Sequence, residues 1–101
     1  MEYKKVLTCG KKIVFRDLVV FVLSSHNPRV GIIASKKVGN AVARNKAKRM
    51  IREAYRQNTE LNEWELVVIA RKSLLSCDFS DVFATFEKLR QKLANERSLQ
   101  T

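Results

Sequence analysis

Residues 18–23 read LVVFVL, an unbroken apolar run rich in β-branched side chains. The run is strand-length rather than helix-length, and it has no polar alternation. Both faces of the sheet it enters must therefore be covered. Two further stretches have the same character, 30–35 (VGIIAS) and 65–70 (ELVVIA). The cluster Ser24-Ser25-His26-Asn27-Pro28 is a turn between the first two. Residues 11–15 fit a shorter strand. A chain of 101 residues can fill one hydrophobic core, and one Pro and three Gly leave little linker. We expect one domain over residues 1–95 and a disordered tail over 96–101.

Helical spacing appears in three places. Residues 2–8 set Tyr3, Val6 and Leu7 on one side, and Gly10 should end that helix because glycine tolerates positive φ. Asn40 is a good N-cap for a helix over 41–57, which should fray near Asn58. Its Ala43, Ala47, Met50, Ile51 and Ala54 form one core-directed stripe. The last helix, capped at Asp78 or Ser80, buries Val82, Phe86, Leu89 and Leu93, with Phe79 and Phe83 adjoining. The order is α-β-β-β-α-β-α, an α/β (α+β) domain with helices packed on a mixed four-stranded sheet. The strand–helix–strand succession in its second half implies a crossover between parallel strands.

Charge then narrows the function. Basic residues number 20 and acidic ones 10, a net charge of +10. Within 44–56 stand Arg44, Lys46, Lys48, Arg49, Arg52 and Arg56, against Glu53 alone. Like charges at i, i+4 cost a helix a few tenths of a kcal/mol per pair. A solvated surface helix would ordinarily offset that with anions. This one does not, and Lys36 and Lys37 precede it, so the sequence favours a phosphate-binding face. Lys88, Arg90, Lys92 and Arg97 form an ordinary solvated face on the last helix.

Other chemistries have little support. No apolar run approaches membrane-spanning length, and the N-terminal residues lack the apolar core of a signal peptide, so a cytoplasmic protein is expected. Cys9 and Cys77 stand far apart in no metal-ligand spacing and read as free thiols. The one histidine, His26, sits in a turn, and no Asp/Glu cluster or Ser-His arrangement suggests catalysis or a metal. Trp64 reads as a core anchor.

Several ordered motifs together are specific. Arg29-Val30-Gly31-Ile32, Ser35-Lys36-Lys37-Val38-Gly39-Asn40-Ala41-Val42, Arg44-Asn45-Lys46, Lys48-Arg49 and Arg52-Glu53 closely resemble the protein subunit of bacterial ribonuclease P. Tyr3, Val6 and Gly10 match the family's aromatic-x-x-Val…Gly pattern, and 67–72 (VVIARK) its last strand. The resemblance implies a ribonucleoprotein that cleaves the 5′ leader from precursor tRNA. A catalytic RNA carries the Mg2+-dependent chemistry, and the protein holds that RNA and the leader. It assigns no catalytic residue and no metal or cofactor to this chain.

The same resemblance implies RNA-subunit contacts at Lys36, Arg44, Asn45, Lys46, Lys48, Arg49, Arg52 and Arg56, and leader contacts at Tyr3, Leu7, Phe21, Ile33, Ser35 and Lys37. Lys46 stands where the family has arginine, and it lacks the planar fork that grips phosphate twice. Leu7 stands where many relatives are aromatic, and it cannot stack on a base. Strand parity places Phe21 with Val19 and Leu23, and Ile33 with Ser35. The resemblance also implies a left-handed crossover, although such connections are right-handed in about 98% of cases. The alternative is a ribosomal or general RNA-binding protein without a role in cleavage. A DNA-binding module fits less well, because a strand rather than a packed helix leads into the basic helix. A protein-only nuclease lacks catalytic groups.

Overall fold

The computed structural model describes residues 3–100. Helix α1 (Tyr3–Cys9) leads into strands β1 (Lys11–Val14), β2 (Leu18–Ser24) and β3 (Arg29–Ile33). Helix α2 (Ala41–Arg56), strand β4 (Trp64–Ala70) and helix α3 (Phe79–Gln100) follow, with short 3-10 turns at Thr59–Leu61 and Lys72–Ser76. The element order is the one the sequence predicts.

The strands form one mixed sheet in the order β1-β2-β4-β3. β1 with β2 and β2 with β4 are antiparallel, whereas β3 and β4 are parallel and joined through α2. β4 lies between the first apolar run and the second, so both central strands are wholly apolar at their middles. Register assigns the side chains to two faces. Ile13, Val20 and Val68 share one face with Leu18, Val22, Leu66 and Ala70, and all are buried in the main core. Helices α2 and α3 close that core with Ala47, Ile51, Ala54, Val82, Phe86, Leu89 and Leu93. Trp64 is half-buried against it, as its position at the strand edge implies.

The opposite face carries Val19, Phe21 and Leu23 of β2 and Glu65, Val67 and Ile69 of β4. α1 packs on β2 and β4, and Val6, Val19 and Val67 are buried there, outside the main core. The sequence requires cover on both faces of the sheet; α1 is too short to provide it everywhere, and this face is only partly closed.

The helix ends explain the boundaries. Asn40 caps α2 by accepting a hydrogen bond from Ala43 N at 2.9 Å. Gly39, at φ +153, supplies the backbone conformation entering that cap. The other end, expected to fray near Asn58, is capped in the structure. Asn58 is buried, and its Nδ2 donates to Ala54 O at 2.7 Å, satisfying a carbonyl of the last turn. At α3, Asp78 Oδ1 accepts from Asp81 N at 3.0 Å and Asp81 Oδ2 accepts from Asp78 N at 3.1 Å, a reciprocal cap.

α3 runs to Gln100, and Glu96, where the segment expected as a disordered tail begins, pairs with Lys11 of β1. Thr101 lies outside the described residues. Gly10 does end α1, but positive φ is not the reason, since Gly39 alone has it among the described residues. A Cβ at Gly10 would lie 2.4 Å from Val6 O and 2.8 Å from Val22 O, so glycine is needed where the helix end meets β2. Both obstructing atoms are backbone and cannot turn aside. Gly10→Ala should therefore lower unfolding stability by about 1–3 kcal/mol in urea denaturation; an unchanged midpoint would show that α1 is not held at this contact.

Candidate nucleic-acid interface

Burial divides α2 as its spacing predicts. Ala47, Ile51 and Ala54 are fully buried, and Met50 is half-buried against the core. Asn45, Lys46, Arg49, Arg52 and Arg56 are exposed, and Arg44 and Lys48 are half-buried at the margin. The small Ala47 and Ala54 side chains let the helix backbone lie close to the sheet, which fixes its rotation and hence the direction of the cations. A shallow depression on this surface is lined by Val42, Asn45, Lys48, Arg49 and Arg52.

The electrostatic arrangement refines the expected set. Glu53 is engaged by Arg56, with Arg56 Nε on Oε2 at 3.1 Å and its terminal nitrogen on Oε1. Gln57 Nε2 also donates to Glu53 Oε1 at 3.0 Å. These hydrogen bonds, that of Arg56 foremost, hold the Glu53 carboxyl below the usual carboxylate range. Arg56 is thus partly neutralised at the C-terminal end of the row. Among the described residues, Arg44, Lys46, Lys48, Arg49 and Arg52 have no carboxylate in salt-bridge range, and Arg44 Nε is buried without a hydrogen-bond partner. Three like-charged pairs at i, i+4 (44/48, 48/52, 52/56) cost the isolated helix roughly 1 kcal/mol in all. Burying Ile51 alone offsets that, at about 1.5–3 kcal/mol. The core therefore holds the cations together without help from anions.

The loop before α2 is anchored by buried Ala34 and Val38. Lys36 and Lys37 are exposed in its turn, close in sequence to the start of the basic row. Ser35 departs from the expected parity with Ile33. β3 ends at Ile33, and Ser35 belongs to the turn, where its carbonyl accepts from Val38 N at 3.0 Å and its Oγ from Lys37 N at 3.3 Å.

On the partly closed sheet face, register brings the remaining expected residues together. Phe21 lies opposite Val67, and Val67 opposite Gly31. A Cβ at Gly31 would lie 2.2 Å from Tyr3 Cε1, so the tyrosine ring rests directly on this glycine. Tyr3 is 37% exposed, and Leu7 follows one turn later on α1, half-buried. In the next row Val19 faces Ile69 and Ile69 faces Ile33. Phe21 and Gly31 are two strand spacings apart, about 10 Å. Phe21, Ile69 and Ile33, half-buried around the buried Val19, thus form an apolar strip beside α1, and the step from that helix, where Tyr3 rests on Gly31, down to the sheet makes the strip a trough.

Three members of the trough are absent from the sequence reading. Ile69 adjoins Ile33, Lys12 lies opposite Phe21, and Val14, 56% exposed, lies opposite Val19. Parity along 65–70 marks Ile69 as a partner of Val67, but only the strand order shows which face that is.

His26 is exposed in its turn. Among the described residues no group of three or more His, Cys, Asp or Glu could hold a metal ion. A second depression holds Arg16, Asp17, Cys77, Asp81 and Lys88. There burial, followed by the adjacent Asp17, pushes the Cys77 thiol up to about 11, which makes it a poor nucleophile. Cys9 and Cys77 are both free. No helix among the described residues is long and apolar enough to cross a membrane.

The family model for ribonuclease P matches residues 1–94. The chain belongs to the ribonuclease P protein family. It is 40% identical over 86 residues to the ribonuclease P protein component of Listeria monocytogenes serovar 1/2a, an alignment covering 80% of this chain and 72% of that one. The ribonuclease P protein of Thermotoga maritima superposes with a TM-score of 0.79 at 29% identity, covering 90% of each chain. That of Staphylococcus aureus gives 0.77 at 30% identity, covering 91% of this chain and 87% of the other. Family membership makes the chain a protein component of a tRNA-processing ribonuclease, with an RNA subunit as partner. The general RNA-binding alternative is not favoured.

The Glu53 pair gives a direct test of the basic row. Glu53→Gln releases Arg56, so binding of ribonuclease P RNA should tighten. The plot of log K against log[salt] should also steepen by about one. An unchanged slope would place Arg56 outside the RNA contact.

Proposed function

We propose that α2 docks the chain on the phosphates of the catalytic RNA through Arg44, Asn45, Lys46, Lys48, Arg49 and Arg52, with Lys36 alongside and Arg56 as a weaker outer contact. The observation that carries this reading is the row of cations without carboxylate partners on a helix rigidly packed in the core. The trough takes the single-stranded 5′ leader of precursor tRNA. Tyr3 and Phe21 supply aromatic faces, Leu7 and Ile33 apolar contact, and Lys37 a charge near the mouth, with Ser35 acting from its turn. Lys46 contributes charge without the bidentate grip of arginine.

This division agrees with the chemistry available. The protein positions RNA, and Mg2+ enters through the RNA subunit, where cleavage of the leader takes place. The chain works in the cytoplasm, where tRNA precursors are made and matured.

Binding of the homologous ribonuclease P RNA across a salt series tests the α2 contact. With about five groups on phosphates, log K against log[salt] should slope by roughly −3 to −5. A flat response would remove the phosphate-face reading.

The trough is tested separately. Base–aromatic stacking contributes about 1–3 kcal/mol per base, so Phe21→Ala should weaken binding of leader-bearing precursor by roughly ten- to a hundredfold. Mature tRNA and assembly with the RNA subunit should be nearly unaffected. Equal losses for precursor and mature tRNA, with the domain still folded, would place the leader elsewhere.

A further inference from the structure

Val42 is the most exposed large apolar residue described, at 76%, and it stands on the most strongly charged surface of the molecule. A single exposed valine is ordinary. Its surroundings are not. Val42, Asn45, Arg49 and Arg52 follow one another at helical spacing on α2, and with Lys48 they line a single depression. A β-branched residue is a mediocre helix former, and the core gains nothing from this one.

The depression combines three chemistries. Val42 offers an apolar surface to a base or a ribose. The Asn45 amide can both donate and accept, as pairing with a base edge requires. Lys48, Arg49 and Arg52 supply charge for phosphates, and a guanidinium plane can also lie on a base. The backbone of an RNA duplex would use the cations alone, because its bases are stacked inside. Proteins read RNA bases mainly where they are unpaired and splayed outward.

We propose that this depression holds an unpaired nucleotide of the RNA subunit, packed against Val42 with its edge at Asn45 and its flanking phosphates at Lys48, Arg49 and Arg52. The inference rests on the α2 reading above and adds recognition to attraction. Charge brings the RNA to the helix, and the Val42–Asn45 end selects where on the RNA it settles.

The test compares full-length wild type, Val42→Ala, Val42→Ile and Arg49→Ala for binding of the homologous ribonuclease P RNA across a salt series, with base-specific chemical probing of each complex. Alanine is the better helix former, so Val42→Ala should fold at least as well as wild type. Its affinity should fall roughly five- to fifteenfold, the loss expected for up to two buried methyl groups, with the salt slope unchanged. An unpaired base protected by wild type should regain reactivity, and Val42→Ile should restore both. Arg49→Ala should instead lower the slope by about one. Wild-type affinity for Val42→Ala, or no base whose protection depends on Val42, overturns the proposal. If Arg49→Ala keeps its slope in that case, the α2 reading falls with it; if the slope drops, that reading stands alone.

Discussion

The cationic surface the molecule presents depends on how α2 is held as the crossover between two adjacent parallel strands. β3 and β4 lie side by side and run the same way, so the chain must cross from the end of one to the start of the other. α2 makes that crossing on the core side, sealed by Ala47, Ile51 and Ala54. Once that stripe is buried, the rotation of the helix is fixed, and five cations with no carboxylate partner among the described residues lie on or at the margin of its outer face. A helix with so few anions would be marginal in isolation. Here the repulsion is small beside the burial that holds it, so charge density can be set by the partner's needs rather than by the helix's own stability.

The two sheet faces divide the remaining work. The face under α2 and α3 carries the main core, apolar and buried at its middle, with Val30, Ile32 and Trp64 half-buried at its margins. The other is covered only by α1, a helix of seven residues. Its closure is local: Val6 seals Val67 and Val19, Tyr3 rests on Gly31, and Gly10 lets the helix end approach β2. Beyond that contact Phe21, Ile33 and Ile69 stay half-buried. Side chains there are anchored by their strands but retain contact area, which suits stacking on a flexible strand of RNA. A larger residue at 31 would displace Tyr3 and alter the trough without touching its floor.

Much of this was legible because it follows from periodicity. The alternate core-facing residues of the apolar runs, Ala47, Met50, Ile51 and Ala54 of the α2 stripe, and Val82, Phe86, Leu89 and Leu93 of α3 are buried or packed on the core, whereas Ala43, Phe21, Ile33 and Ile69 stay half-buried outside it. What sequence could not supply was relative position. Ile69 belongs to the trough because β4 lies between β2 and β3, a non-local pairing that no local pattern encodes. Ser35 lost its parity with Ile33 because the strand stopped two residues sooner. Arg56 counts for less because its guanidinium finds Glu53 three residues before it, a choice of rotamer rather than of sequence. The pairing of Glu96 with Lys11 likewise joins α3 to a distant strand, which no local pattern encodes.

The separation of charge from apolar contact has a physical consequence for the assembly. Phosphate contacts gain largely from released counterions, so their strength falls steeply as salt rises. Stacking and methyl burial draw on desolvation and dispersion, which salt hardly weakens at moderate concentrations. In the reading proposed above, the α2 row is nearly all of the first kind and the trough nearly all of the second. Val42 brings the two together, an exposed apolar side chain within the cationic row. A surface of cations alone would slide along any RNA at similar energy. An apolar contact that only one seating of the RNA can bury gives the same helix a preferred position, without adding to its charge.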